Sequence, residues 1–136
     1  MFYTILFLLL IKHGVCDYII QGRLSIKYET PKTSFSSKRL WMHARDHGLG
    51  TALIFLLTSL YCITFGYTQL IVLLSISLGL IDWAIHGLID YTKNRIIKDT
   101  KLKSDETLFW YVTGVDQMLH YSTYMVFVLV FDIYFF

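Results

Sequence analysis

Four apolar segments dominate this sequence, and each is long enough to cross a lipid bilayer as a helix, which takes about 20 residues. The segments cover residues 2–22, 41–64, 67–92 and 107–134. Apolar side chains make up 55% of the 136 residues and charged ones only 16%, whereas soluble domains carry about 25% charged residues. Because so short a chain cannot bury that much apolar surface against itself, the composition predicts an integral membrane protein.

The order of the segments predicts an all-α fold. We expect a single domain, 1–136, built as an antiparallel four-helix transmembrane bundle. Two polar connections, "GRLSIKYETPKTSFSSK" and "NRIIKDTKLKSDE", follow the first and third segments, and a short connection around "FGY" follows the second. The first segment does not fit a signal peptide, because no basic residues precede it and Lys12 and His13 interrupt its apolar core.

Basic residues predict the orientation of the bundle. Eleven of the twelve lysines and arginines lie in or beside the first and third connections. The positive-inside rule makes these connections cytoplasmic and puts both termini on the non-cytoplasmic side. Trp41, Trp110 and Tyr111 are typical of aromatic anchors at the cytoplasmic boundary. The basic loops therefore indicate topology and attraction to anionic lipid, with no nucleic-acid partner.

Several classes of site are excluded by what the sequence lacks. The two cysteines, Cys16 and Cys62, form no CxxC pair and no Cys/His finger spacing, so a disulfide framework or zinc finger is not expected. We interpret both thiols as small packing residues. The sequence also contains no nucleophile elbow, phosphate-binding glycine loop or nucleotide fingerprint.

Ionisable side chains recur inside the apolar segments at helical spacing. In "DWAIHGLIDYTK" the residues Asp82, His86 and Asp90 are four apart and share one helix face. An ionisable side chain inside a membrane helix costs roughly 2.5–3.5 kcal/mol, so three of them need a reason. The other segments add His13, Asp17 and Gln21, then His43 and His47, then Asp116, Gln117 and His120.

These polar groups share a depth as well as a spacing. They lie near the C-terminal end of the first and third segments and in the N-terminal part of the second and fourth. Antiparallel packing therefore brings all of them into the cytoplasmic half of the bundle, where a rise of about 1.5 Å per residue lets them meet at one level. The sequence predicts a single polar cluster built from every helix.

The acids in this cluster need neutralising, because only Lys12 and Lys93 are near and both side chains are long enough to reach water. The acids can be protonated, paired with histidinium, or bound to divalent metal. We favour one or two ions, with zinc ahead of manganese or iron, since imidazole and carboxylate suit these metals. A metal-free polar or proton-relay network is the alternative. The predicted ligands are His13, Asp17, His43, His47, His86, Asp90, Asp116 and His120.

Four short motifs also resemble the pattern of a protein family. "HGVCDYIIQ", "HARDH", "HGLIDYTK" and "DQMLH" occur in that order along the chain, and together they resemble Domain of Unknown Function 3307. The resemblance implies a small integral membrane protein of a bacterium or bacteriophage, in the bacterial inner membrane. More distantly, the layout is similar to membrane-bound metal-dependent hydrolases and to the helical zinc phospholipase C group, which hold zinc with His-x-x-x-Asp pairs.

Two functions of different classes fit these patterns. The first is a metal-dependent hydrolase that acts on a lipid or phosphoester at the cytoplasmic leaflet, with Asp82 or Asp90 as general base. Asp82 can instead be a metal ligand or fix a histidine tautomer. The second is a non-catalytic membrane module that binds a membrane-protein partner or a second copy of itself, with the polar cluster holding the helices together. Ion or proton conduction is disfavoured because "LIFLLTSLY" and "YMVFVLVF" offer no polar path.

Overall fold

The computed structural model describes residues 1–23, 31–61 and 68–135, and within these ranges the chain forms four long helices and no strand. The "FGY" connection and Cys62 lie outside the described residues. The helices are α1, Phe2–Gly14; α2, Lys38–Tyr61; α3, Thr68–Thr100; and α4, Thr107–Phe135. The prediction of an all-α fold is confirmed.

A π-helical turn, Val15–Ile20, continues α1 directly, and the helix then runs on to residue 23. The sequence predicted regular α-helical spacing here. A π-helical turn widens the helix by one residue per turn and is frequent at functional sites. In this chain the widened turn carries Asp17.

Helix α3 extends eight residues beyond the end of the third predicted membrane segment, because its last two turns are charged rather than apolar. Arg95 Nε lies 2.7 Å from Asp99 Oδ2, an i,i+4 pair that supports an exposed helix. The helix ends at Thr100, and Lys101 follows with φ at 55°, a left-handed conformation that cannot continue an α-helix.

The four helices pack in antiparallel order, with α1 and α3 each in contact with both α2 and α4. The closest approach joins α2 to α3 at two glycines. A Cβ atom at Gly48 would lie 2.5 Å from the carbonyl oxygen of Gly79, and one at Gly79 would lie 2.7 Å from Ala52 Cβ. Only glycine allows the two backbones to come this close. The close packing of α2 against α3 brings His47 and His86 together.

The interior divides into an apolar half and a polar half. The apolar half lies at the end that contains the N-terminus of α1 and the C-terminus of α4, and its buried residues are Ile5, Leu9, Phe55, Leu78, Tyr124, Phe127, Val128 and Phe131. The polar half lies at the opposite end, beside the basic connections. Two helical segments among the described residues, Phe2–Arg23 and Gln69–Thr100, are long and apolar enough to cross a membrane.

Candidate metal centre

The polar half brings all the predicted metal ligands into one cluster. Within it, two groups of side chains hold their nitrogen and oxygen atoms within 4.8 Å of one another, close enough for one ion each after small side-chain movements, since zinc–ligand bonds are about 2.0–2.2 Å. The first group is Asp17, His43, His47 and His86. The second group is His86, Asp90 and His120. The groups share His86.

The first group is arranged around the carboxylate of Asp17. Asp17 Oδ1 lies 3.1 Å from His47 Nε2 and 3.2 Å from His43 Nε2. Its other oxygen lies 3.2 Å from Nε2 of His13, four residues earlier. The three imidazoles come from α1 and α2, and all three are buried. One carboxylate therefore faces three potential nitrogen ligands or hydrogen-bond donors.

His86 lies at the centre of the cluster and is fully buried. Its ring is stacked between two others, with centroids 3.5 Å from His47 and 4.0 Å from His120. Among the described residues neither ring nitrogen of His86 has a hydrogen-bond partner. A buried polar atom left without a partner costs roughly 1–3 kcal/mol, so an unpartnered imidazole between two ligand groups fits a metal ligand better than a packing residue.

The second group combines Asp90 of α3 with His120 of α4. His120 Nε2 lies 3.8 Å from Asp90 Oδ1 and 3.7 Å from Asp116 Oδ1. Asp116 is thus adjacent to this group without belonging to it, and its Oδ1 has no hydrogen-bond partner in the part of the chain that the structure describes. The donor set of imidazole nitrogen and carboxylate oxygen is one that zinc, manganese or iron accepts.

His13 lies beside the two groups rather than in either. Its Nδ1 is 3.0 Å from the Tyr124 hydroxyl and its Nε2 is 3.1 Å from Gln117 Oε1. Both groups near Nε2, Gln117 Oε1 and Asp17 Oδ2, are acceptors, so we assign the proton of His13 to Nε2, which leaves Nδ1 to accept from the Tyr124 hydroxyl. His13 therefore donates towards Gln117 and Asp17, an arrangement that orients the Asp17 carboxylate.

Asp82 lies deeper, in a separate polar network that we call the Lys12 network: Lys12, Thr51, Asp82 and Tyr124. Lys12 Nζ donates to Asp82 Oδ2 at 3.1 Å, to the Tyr124 hydroxyl at 2.9 Å and to the His47 carbonyl at 3.3 Å. Thr51 Oγ1 donates to the same Asp82 oxygen. Lys12 is buried instead of reaching water, and all three of its protons are used.

A polar cavity of about 350 Å³ opens beside the candidate metal centre, and we call it the vestibule. Lys32 Nζ lies here, 2.6 Å from Asp90 Oδ2 and 2.7 Å from Gln21 Oε1. Lys93 Nζ lies 3.2 Å from Asp90 Oδ1 and 2.9 Å from Asp116 Oδ2. Burial lowers the pKa of Lys32, against the opposing effect of the Asp90 carboxylate.

Sequence reasoning did not find three residues that hold this region together. Tyr124 and Thr51 looked like ordinary residues of apolar segments, and Lys32 looked like a solvated loop residue. Tyr124 has a usable signal, because it lies four residues after His120 and continues the face formed by Asp116 and His120. Lys32 has none, since only the folded loop shows that its ammonium group reaches Asp90.

A comparison with protein families gives one match that covers nearly the whole chain. The model of the family "Protein of unknown function (DUF3307)" matches residues 5–135. No significant match was found among curated proteins or among solved structures. The chain therefore belongs to the DUF3307 family.

Proposed function

We propose that this member of the DUF3307 family is an integral membrane protein that binds one or two divalent metal ions within its helices and uses them for hydrolysis. The observation that carries the proposal is His86, a fully buried imidazole whose two nitrogens lack partners among the described residues while it belongs to both ligand groups. Buried polar groups are normally hydrogen-bonded, and metal coordination is the most direct way to satisfy this one.

The distribution of polarity supports a membrane setting with four spanning helices. Among the described residues the buried set contains 13 polar or charged side chains and 12 hydrophobic ones, whereas a soluble domain buries mostly apolar side chains. The outer surface is apolar on all four helices, including α2, where Leu49, Leu53 and Leu57 are each more than half exposed. Lipid is the solvent that such a surface requires.

Charge supports the proposed orientation and the number of ions. The basic residues of both long connections lie at the end of the bundle that bears the metal centre, which favours the cytoplasmic side for that end. Asp17, Asp90 and Asp116 bring three negative charges to the centre. One divalent ion leaves one excess negative charge on these three carboxylates, which a lysine can balance, and two ions leave one excess positive charge.

These residues would hold a divalent ion, which would supply an acidified water and polarise an ester or phosphoester bond. The surrounding residues then have separate tasks. Asp90 borders the vestibule and is the better candidate of the two predicted general bases. Asp82 is held by Lys12 and Thr51 away from the vestibule, so we assign it to helix packing. His13 orients Asp17, and His120 acts with His86 and Asp90 as a ligand of the second group.

Metal analysis of the purified full chain tests this proposal. We expect one or two zinc ions per chain in the native protein, and near-zero metal in the double variant His86→Ala/Asp90→Ala. Asp99→Ala is the matched control, because Asp99 lies on α3 but pairs with Arg95 on the exposed surface. Equal metal content in all three proteins, or none in the native chain, would contradict the proposal.

The second candidate function is a non-catalytic membrane module, and the Lys12 network favours it. That network shows how buried charges in this chain can hold helices together without any ion. If the histidine cluster has the same role, Asp90→Asn leaves folding and any cellular phenotype unchanged, and chelators have no effect. If Asp90→Asn loses zinc and the stability that zinc confers, a metal-free structural role for the histidine cluster is excluded.

A further inference from the structure

We infer that the metal centre receives a phosphate-bearing lipid, whose anionic head enters the vestibule while its hydrocarbon chain lies in an adjoining apolar groove. This inference rests on the proposed metal centre and adds the class of substrate to it. Two cavities that meet at Lys93 carry the inference.

The vestibule leads from the surface directly to the two ligand groups. Asp17 of the first group and Asp90 of the second both line it, so a molecule in the vestibule can reach one carboxylate of each ligand group. Apart from Pro31, the rest of its lining is polar or cationic: Tyr18, Gln21, Lys32, Thr33, Arg39, Lys93 and Asn94. Side-chain amides, ammonium groups and a guanidinium are the donors that bind phosphate oxygens.

The charges of the vestibule favour a multiply charged anion. Lys32 and Lys93 are bonded to the carboxylates of Asp90 and Asp116, the same groups that we propose as ligands or neighbours of an ion. A divalent ion and an ammonium group compete for these oxygens, so metal binding makes the two lysines available to an anion. Together with Arg39 they then surround a site whose acids are already neutralised.

An apolar groove of about 470 Å³ lies next to the vestibule, between α3 and α4. Its walls include Leu88, Ile96, Leu108, Val115 and Leu119, most of them exposed to the surroundings of the helices. Lys93 lines both the groove and the vestibule.

The pairing of the two cavities argues for a lipid rather than a free anion. A soluble phosphate needs only the vestibule, whereas an amphiphile places its charged head and its apolar tail on opposite sides of Lys93. The aliphatic part of a lysine side chain packs on hydrocarbon while its ammonium group stays polar, which suits this boundary. In the orientation proposed above, the groove faces lipid close to the basic connections, where headgroups lie.

Binding of a labelled lipid to the zinc-loaded full chain in neutral detergent micelles tests the inference. The probe is fluorescent phosphatidic acid, compared with diacylglycerol that carries the same label and chains but no phosphate, and with unlabelled glycerol 3-phosphate as competitor. We expect phosphatidic acid to bind at least about tenfold more tightly than diacylglycerol, as a charge-assisted contact implies. Glycerol 3-phosphate should compete only weakly.

Variants test the contribution of each cavity to binding separately. Lys93→Gln and Lys32→Gln should each weaken phosphatidic acid binding by about tenfold. Val115→Trp fills the groove, so it should weaken phosphatidic acid binding and leave glycerol 3-phosphate competition unchanged; Val115 is 56% exposed, which makes the larger side chain tolerable. Lys98→Gln is the matched control, since Lys98 is exposed on α3 and lines neither cavity. Zinc content, measured for every variant, reports that the site is intact.

The outcomes distinguish this inference from the proposed function. Equal affinity for phosphatidic acid and diacylglycerol in a zinc-containing protein overturns the phosphate-bearing lipid and leaves the metal centre standing. Equal affinity for phosphatidic acid and glycerol 3-phosphate overturns the role of the groove. Absence of zinc from the native chain overturns the proposed function, and this inference with it.

Discussion

Two buried polar regions lie next to each other in this molecule, and they differ in how completely their polar atoms are satisfied. In the Lys12 network the ammonium group has three acceptors, and Asp82 accepts from both Lys12 and Thr51. In the histidine cluster both ring nitrogens of His86 and the Nδ1 of His43 lack hydrogen-bond partners in the described part of the chain. The first region is complete as protein alone, whereas the second calls for a further ligand.

Removing the cation of the Lys12 network should lower the stability of the protein more than the other changes. Lys12→Met leaves the buried Asp82 carboxylate without its counter-charge, which costs about 3–5 kcal/mol of unfolding free energy. Thermal or denaturant unfolding in detergent micelles measures the loss. The double variant Lys12→Met/Asp82→Leu removes both charges and should recover most of the stability. A Lys12→Met protein as stable as the native chain would show that this network is not what we describe.

Adding zinc should stabilise the incomplete region. At free zinc about a thousandfold above its dissociation constant, binding to the folded state alone contributes about 4 kcal/mol. Unfolding of the native chain is measured with zinc and with chelator. The same comparison on His86→Leu should show little difference between the two conditions. If the native chain has the same unfolding midpoint with and without zinc, the histidine cluster does not need a further ligand and the two regions do not differ as described.

Replacing His86 should change stability in opposite directions with and without metal. In the presence of chelator His86→Leu fills the same space without unpartnered nitrogens, so we expect it to be more stable than the native chain by about 1–3 kcal/mol. With zinc the order inverts, because the variant lacks the shared ligand. A variant that is less stable in both conditions would indicate that His86 serves packing alone.

Moving α2 away from α3 should weaken zinc binding by the histidine cluster indirectly. Gly48→Ala places a Cβ atom against the Gly79 carbonyl and Trp83, which should cost about 1–3 kcal/mol and lower zinc affinity by moving His47 away from His86. Gly114→Ala is the control, since a Cβ there meets nothing within 4 Å. If both variants bind zinc with equal affinity, the contact between α2 and α3 does not contribute to the metal centre.

Sequence periodicity accounts for the shared face of Asp82, His86 and Asp90, and the resemblance of four short motifs accounts for the family to which the chain belongs. Periodicity could not separate Asp82 from His86, because both lie on one face and only the position of Lys12 on another helix decides which of them is paired. Similarly, the i,i+4 spacing of His13 and Asp17 carries no sign of the π-helical turn that positions the latter. Contacts between a loop and a helix, such as that of Lys32 with Asp90, depend on a loop path that the local sequence pattern does not encode.

The central claim is that an ion lies between the imidazoles and carboxylates of the polar half. X-ray absorption at the zinc edge, recorded on the purified zinc-loaded chain, tests it most directly. We predict a first shell of mixed nitrogen and oxygen ligands at about 2.0–2.2 Å, with imidazole scattering that is lost in His86→Ala/Asp90→Ala. A spectrum of hydrated zinc without imidazole, or one that is identical in the variant, would contradict the account.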